Sequence, residues 1–234
     1  MEGKIMKTFK TKLLTIVALL CSISANAHDF EVDGIYYNLT SETDSTVSVT
    51  FRGPRYDDYD NEYSGTITIP PIVNYNSNTY RVTSIGSSAF YYCSSLTSIT
   101  IPEGVTSIEN GAFSGCSSLT SITIPEGVTS IGSAAFCGCS SLTSITIPEG
   151  VTSIGSSAFS RCSSLTSITI PEGVTSIGES AFRDCSSLTS VAIPESVTSI
   201  EYCAFYGCSS LTSLTLPVGV TSIGNWAFGN CSSL

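Results

Sequence analysis

Lysine is absent from this sequence after residue 12, and histidine occurs once, as His28. Charged residues make up only 12% of the chain. Beyond the first 27 residues no run of about 18 apolar residues occurs, so no later segment is long enough to cross a bilayer as a helix. The first 27 residues read as a secretory leader. Met6 to Lys12 is basic, Leu13 to Ile23 is mostly apolar, and Ala25-Asn26-Ala27 is a small-x-small site predicting cleavage after Ala27. Leu20 stands where a lipidated Cys21 would need a small residue before it. The leader holds all four lysines and one of the 19 acidic residues, which leaves five arginines against 18 carboxylates and a net charge of −13. Such a surface excludes nucleic acid and anionic membranes as partners.

The same scarcities bear on catalysis and metals. Serine is abundant, but no His or Lys lies beyond His28 to activate it, so the chain is not read as an enzyme. Zinc needs clustered thiolates or imidazoles. Cys137-Gly138-Cys139 is the only close cysteine pair, and neither a metal nor a cofactor is expected. Asp57-Asp58-Tyr59-Asp60-Asn61-Glu62 lacks the glycine spacing of a calcium loop and reads as a surface loop.

What is present is a period. Cys93, Cys116, Cys139, Cys162, Cys185, Cys208 and Cys231 lie 23 residues apart. Phe90, Phe113, Phe136, Phe159, Phe182, Phe205 and Phe228 keep the same step, each preceded by Ala. A strict period of this length predicts a solenoid. Within one unit, Ile99 and Ile101 alternate with Thr100 as a half-buried strand. Pro102 has no amide hydrogen and ends the ladder. Glu103-Gly104 turns the chain, Val105 to Ile108 is a second extended piece, and Ala112-Phe113 is expected in a helical or 3₁₀ turn. About eight inward side chains per coil make no core alone but join into one when coils stack.

The copies can be compared with one another. The residue after the second extended piece is Gly86, Gly132, Gly155, Gly178 or Gly224, but also Glu109 and Glu201, so a positive φ is not obligatory there. The turn residue Gly104 becomes Ser196. Each ladder cysteine is expected as a small buried thiol without a bridge, because in-register neighbours have parallel Cβ vectors that suit a disulfide poorly. Cys137 and Cys203 fall at turns and are the expected accessible thiols. The column Glu103, Glu126, Glu149, Glu172 and Glu195 reads as a solvated acidic edge. The threonine columns at Thr97 and Thr100 read as strand formers with cross-strand contacts.

The stretch CSSLTSITIPEGVTSIGSSAFSRC, from Cys139 to Cys162, resembles the BspA-type leucine-rich repeat of bacterial surface proteins. The resemblance covers about Gly65 to Leu234, and GTITIPPIVNYNSNTYRVTSIGSSAF, ending at Phe90, resembles an opening coil. It implies a right-handed leucine-rich repeat coil stack with a parallel β-sheet and short helical or 3₁₀ turns. It also implies a secreted or cell-surface adhesin that binds a host matrix protein or other cells.

Three segments are expected: a signal peptide at 1–27, a small N-terminal β cap at 28–64, and a solenoid at 65–234 of about seven coils, the last unfinished. In the cap, Asp33-Gly34 predicts a hairpin and Thr46 to Phe51 a third strand. Extra residues around Asn74 to Asn78 predict a protruding hairpin. The chain stops at Leu234, the first core position of a further strand, and truncation is the favoured reading over packing of that coil on another molecule.

Variation concentrates beside Ala-Phe. Tyr91, Tyr92, Arg161, Arg183, Tyr202, Tyr206 and Trp226 form a strip of the residue types that dominate binding hot spots. The polar Ser/Thr face is the competing surface. The reading is non-catalytic binding, with a protein ligand. A glycan-binding module and a passive spacer of a larger surface protein are the alternatives.

Overall fold

The computed structural model describes residues 28–53, 55 and 62–234. The expected leader and cleavage site, Cys21 and the acidic run from Asp57 to Asn61 lie outside the described residues. Strands β1 (Phe30–Val32), β2 (Ile35–Ser41) and β3 (Thr46–Thr50) pair antiparallel in succession. Asp33 and Gly34 join β1 to β2 with φ of 51° and 78°, both positive as a two-residue hairpin turn requires. Strand β4 (Gly65–Thr68) begins the coiled part. Strands β5 (Ile72–Tyr75) and β6 (Asn78–Ile85) form the hairpin expected around Asn74–Asn78. It is braced at its tip, where Tyr75 stacks on Phe30 at 4.3 Å with the rings 6° from parallel.

The coils stack in register as a parallel β-solenoid. One side is an 11-stranded sheet in which β3 pairs parallel with β6. The sheet continues through the two-residue strands Ser107–Ile108, Ser130–Ile131, Ser153–Ile154, Ser176–Ile177, Ser199–Ile200 and Ser222–Ile223. The antiparallel N-terminal strands therefore extend the solenoid's own sheet. The other side carries the alternating segment of each coil. Here β4 and β7 (Leu96–Thr100) lead one three-stranded sheet. Ser167–Thr169, Ser190–Ala192 and Ser213–Thr215 make another. Single bridges, Thr123 to Thr146 and Ser144 to Ser167, carry the coils between. The short second piece is thus the continuous sheet, and the longer alternating piece the interrupted one.

The third side differs from the expected helical or 3₁₀ turn. Amides there alternate between two kinds of partner. Gly111, Phe113 and Gly115 donate to the carbonyls of Ser133, Ala135 and Cys137 in the next coil. Ala112, Ser114 and Cys116 donate to Glu109, Gly111 and Phe113 within their own coil. A continuous helix would keep every amide inside the coil and leave the neighbour's carbonyls unpaired, at a cost for each buried group. The alternation satisfies both sets. It requires left-handed backbone at two places per coil. The first, before Ala-Phe, is Ser88, Gly111, Ala134, Ser157, Ser180, Cys203 and Trp226. The second, before Cys, is Tyr92, Gly115, Gly138, Arg161, Asp184, Gly207 and Asn230.

The core is one column of side chains. The seven phenylalanines stack with centroids 5.1 to 5.5 Å apart and planes within 10° of parallel. A spacing wider than the strand repeat means the rings are offset, the arrangement their quadrupoles favour. Tyr63 covers the first ring, 4.7 Å from Phe90. Its hydroxyl donates to the Thr50 carbonyl at 2.9 Å and accepts from the Tyr36 amide at 3.1 Å, tying the N-terminal strands to the ladder.

Candidate binding surface

The ladder cysteines are buried, apart from a half-buried Cys231, and every described cysteine is a free thiol. Each has a specific partner. Cys116 Sγ donates to the Phe90 carbonyl of the preceding coil at 3.0 Å, and the contact recurs at Cys139, Cys162, Cys185, Cys208 and Cys231 at 3.1 to 3.2 Å. Burial pushes the Cys93 thiol up to about 11 and raises the deeper members further. The column is a set of protonated donors that complete the hydrogen bonding of the phenylalanine turn. Cys137 is half-buried; burial raises its thiol, against the opposing effects of Arg161 and the Ser160 hydroxyl. Cys203, expected to be accessible, is only 3% exposed. It stands between Ser180 and Trp226 in one column of the stack, and these neighbours shield it.

Hydroxyl ladders run along the polar faces. The hydroxyls of Thr120, Thr143, Thr166, Thr189 and Thr212 each donate to the carbonyl of the threonine one coil before. Ser140, Ser163, Ser186 and Ser209 repeat the pattern. These hydroxyl protons are engaged within the stack, so the Ser/Thr surface is held in place by its own donors. Among the described residues no group of three His, Cys, Asp or Glu side chains converges as a metal site. No helix among them is long and apolar enough to cross a membrane.

The variable residues occupy the two left-handed columns and their immediate neighbours. Tyr92 (φ 52°), Arg161 (φ 59°), Asp184 (φ 58°), Asn230 (φ 58°) and Trp226 (φ 61°) all stand where Gly fits best. A large side chain in this region is disfavoured. Several are matched by a glycine one coil later. A Cβ on Gly115 would lie 3.1 Å from the Tyr92 ring, and one on Gly229 would lie 2.9 Å from the Tyr206 ring. A Cβ on Gly207 would collide with the Asp184 carboxylate. Bulk in one coil and its absence in the next are paired.

The seven strip residues do not form one continuous surface. Tyr91 and Tyr92 make a pair at the N-terminal end, their rings 4.6 Å apart. Arg161 stands apart beside Cys137. Arg183, Tyr202, Tyr206 and Trp226 come together, with Cys203, around an open cleft of about 210 Å³. Arg183 Cζ lies 5.0 Å from the Tyr206 ring centroid, and Trp226 meets Tyr206 edge-on at 6.5 Å and 72°. Asn230 Nδ2 donates to the Tyr206 hydroxyl at 2.7 Å and fixes that ring. Asn230 and Asp184 belong to the variable pairs beside Ala-Phe but lie outside the strip expected from sequence. The signal was their place in a column that holds Gly115, Gly138 and Gly207 in other coils.

The family described as BspA type leucine-rich repeat region matches residues 83–196 and 176–234, in six copies. The chain belongs to that family. Solved structures agree with the assignment. A leucine-rich repeat protein of T. pallidum is 31% identical, with a TM-score of 0.75 over 88% of this chain and 90% of that one. A leucine-rich cell surface protein of Faecalibacterium prausnitzii is 36% identical, with a TM-score of 0.71 over 88% of this chain and 52% of that one. A leucine-rich repeat protein of Eubacterium ventriosum is 26% identical, with a TM-score of 0.64 over 91% of this chain and 51% of that one. The BspA-type chain thus spans about half the length of the last two. No curated protein matches it in sequence. Membership of a bacterial surface-protein family points to a binding or surface role rather than to an enzyme.

Proposed function

We propose that this BspA-type chain is a secreted or surface-displayed adhesion protein that binds a host matrix or cell-surface protein without catalysis. The observation that carries the reading is the set of large side chains kept at left-handed positions. Trp226 (φ 61°) is 65% exposed and Tyr92 (φ 52°) 53% exposed. Neither gains burial that would offset an unfavourable backbone or the exposure of an aromatic ring. Aromatic and arginine side chains on a rigid frame are the usual anchors of a protein interface. The frame costs little to order on binding, because its backbone is hydrogen-bonded from coil to coil.

The chain should bind immobilised matrix proteins saturably in a surface plasmon resonance titration. Replacing Tyr202, Tyr206 and Trp226 together by Ala should weaken binding about tenfold or more, the size expected of hot-spot loss. Unchanged affinity with an unchanged melting temperature would remove this strip from the reading. The same cleft favours a second reading, contact with a glycan, because its walls combine aromatic faces with a cation.

A further inference from the structure

We propose that the cleft formed by Arg183, Tyr202, Tyr206 and Trp226 receives a single pyranose ring carrying a carboxylate, an acidic sugar. The inference rests on the reading that this strip is the ligand-binding surface, and names what one part of it recognises.

Three observations point to this chemistry. The first is charge. Beyond residue 81 the chain has only two cations, Arg161 and Arg183, in an otherwise acidic sequence. Arg183 is the one set among aromatic rings. Its guanidinium lies over Tyr206, which holds its plane. Its one ion pair among the described residues, to Asp184 Oδ2 through Nε, is 3.4 Å long, and both side chains are 42% exposed. That distance exceeds a good charged hydrogen bond. The Nη groups have no partner among the described residues, and Arg183 lines the cleft. A carboxylate can take them as a fork.

The second is shape. Tyr206 and Trp226 meet at 72°, and Tyr202 completes the rim of a cleft of about 210 Å³. A pyranose has a flat face of C–H groups and a rim of hydroxyls. The face packs on one aromatic plane and the edge meets the other. An acidic peptide side chain could satisfy Arg183 but has no ring to cover these walls. A neutral sugar could cover the walls but brings no anion to the Nη groups, which the long Asp184 contact through Nε leaves unpaired. The acidic sugar meets both demands.

The third is rigidity. Asn230 holds Tyr206 by its hydroxyl, and Gly229 gives that ring and Trp226 the space to lie against the backbone. The Arg183 backbone is held in turn, its carbonyl accepting from the Arg161 amide at 2.7 Å. The cleft is therefore organised before a ligand arrives, as small-ligand sites generally are.

Saturation-transfer NMR and calorimetry on the purified chain test the proposal. The probes are a glucuronate-terminated oligosaccharide, its glucose-terminated counterpart and a glutamate-rich peptide. Binding of the acidic sugar is expected, with the neutral one weaker by about tenfold, as loss of a charged hydrogen-bonded contact implies. Arg183→Gln should weaken acidic-sugar binding by a similar factor and Arg183→Lys by less. Trp226→Ala should abolish saturation of the ring protons. Each variant is checked by its thermal melt; these are surface changes and should leave it nearly unchanged.

Equal affinity for the two sugars, an acidic sugar that binds Arg183→Gln as well as the parent, or tighter binding of the peptide would overturn the inference. Matrix-protein binding that survives without any sugar binding would overturn it too, while leaving the adhesion reading in place.

Discussion

At the scale of single residues, the unusual cost in this chain lies in its backbone rather than its core. Arg161 has a φ of 59° in a column that also contains Gly115, Gly138 and Gly207. A non-glycine residue there costs roughly 1–2 kcal/mol, part of which glycine returns as unfolded-state entropy. Arg161→Gly should therefore raise the melting temperature by about 2–4 °C, the reverse of what removing a large side chain usually does. A lower melting temperature would show that the arginine stabilises its own coil. Thiols make the second residue-scale prediction. Burial lifts Cys93 from 9.0 to about 11. The unfolded chain releases that proton near 9 and the folded chain keeps it, so the contribution to stability is complete below pH 9 and is lost as pH rises toward 11. Urea midpoints should fall across that window and fall less in Cys93→Ala; a flat profile would contradict the burial.

At the scale of the element, the column Gly86, Gly132, Gly155, Gly178 and Gly224 shows what a sequence pattern can and cannot convey. Its mixed occupancy, with Glu109 and Glu201, correctly argued against a positive φ, and none of these glycines has one. The pattern did not reveal the close approach between coils. A Cβ on Gly178 would lie 2.8 Å from the Ile154 carbonyl. Glu109 brings a compensation, accepting hydrogen bonds from the Ser87 amide at 3.0 Å and hydroxyl at 2.9 Å. Ser156 stands to Gly178 as Ser87 stands to Glu109. Gly178→Ala should cost about 1–3 kcal/mol through crowding. Gly178→Glu should cost about 1 kcal/mol less than Gly178→Ala, because its carboxylate can reach the Ser156 amide. Chemical denaturation of both variants checks the order. If Glu proves worse than Ala, the hydrogen bond is not the compensation. By contrast, the Gly104 position tolerates a side chain, as Ser196 shows with its hydroxyl donating to the Val174 carbonyl at 2.7 Å.

At the scale of the whole molecule, each coil touches only its neighbours, and continuity comes from the stacked columns. Phe159 sits in the middle of the ring ladder, 5.4 Å from both Phe136 and Phe182. Phe159→Ala should cost about 3–5 kcal/mol. In a one-dimensional array it should also uncouple the coils on either side. The denaturation curve should then broaden as well as shift, with a smaller apparent slope. A shifted curve of unchanged slope would mean that the coils unfold as one unit.

The 23-residue period determined, without any coordinates, that the chain stacks. It also identified the inward phenylalanines and cysteines, because a coil with about eight apolar side chains buries them only against copies of itself. The alternation around Ile99 and the Asp33-Gly34 dipeptide were legible for the same reason: their hydrogen bonding and φ demands are local. Three features were decided only by the tertiary structure. They are the alternation of amides between coils, the two left-handed columns it imposes, and the union of Arg183, Tyr202, Tyr206 and Trp226 in one cleft. Each depends on what the next coil places opposite a residue, 20 to 24 positions away. A residue type carries its own preferences, but the partner across the coil interface decides whether those preferences are met.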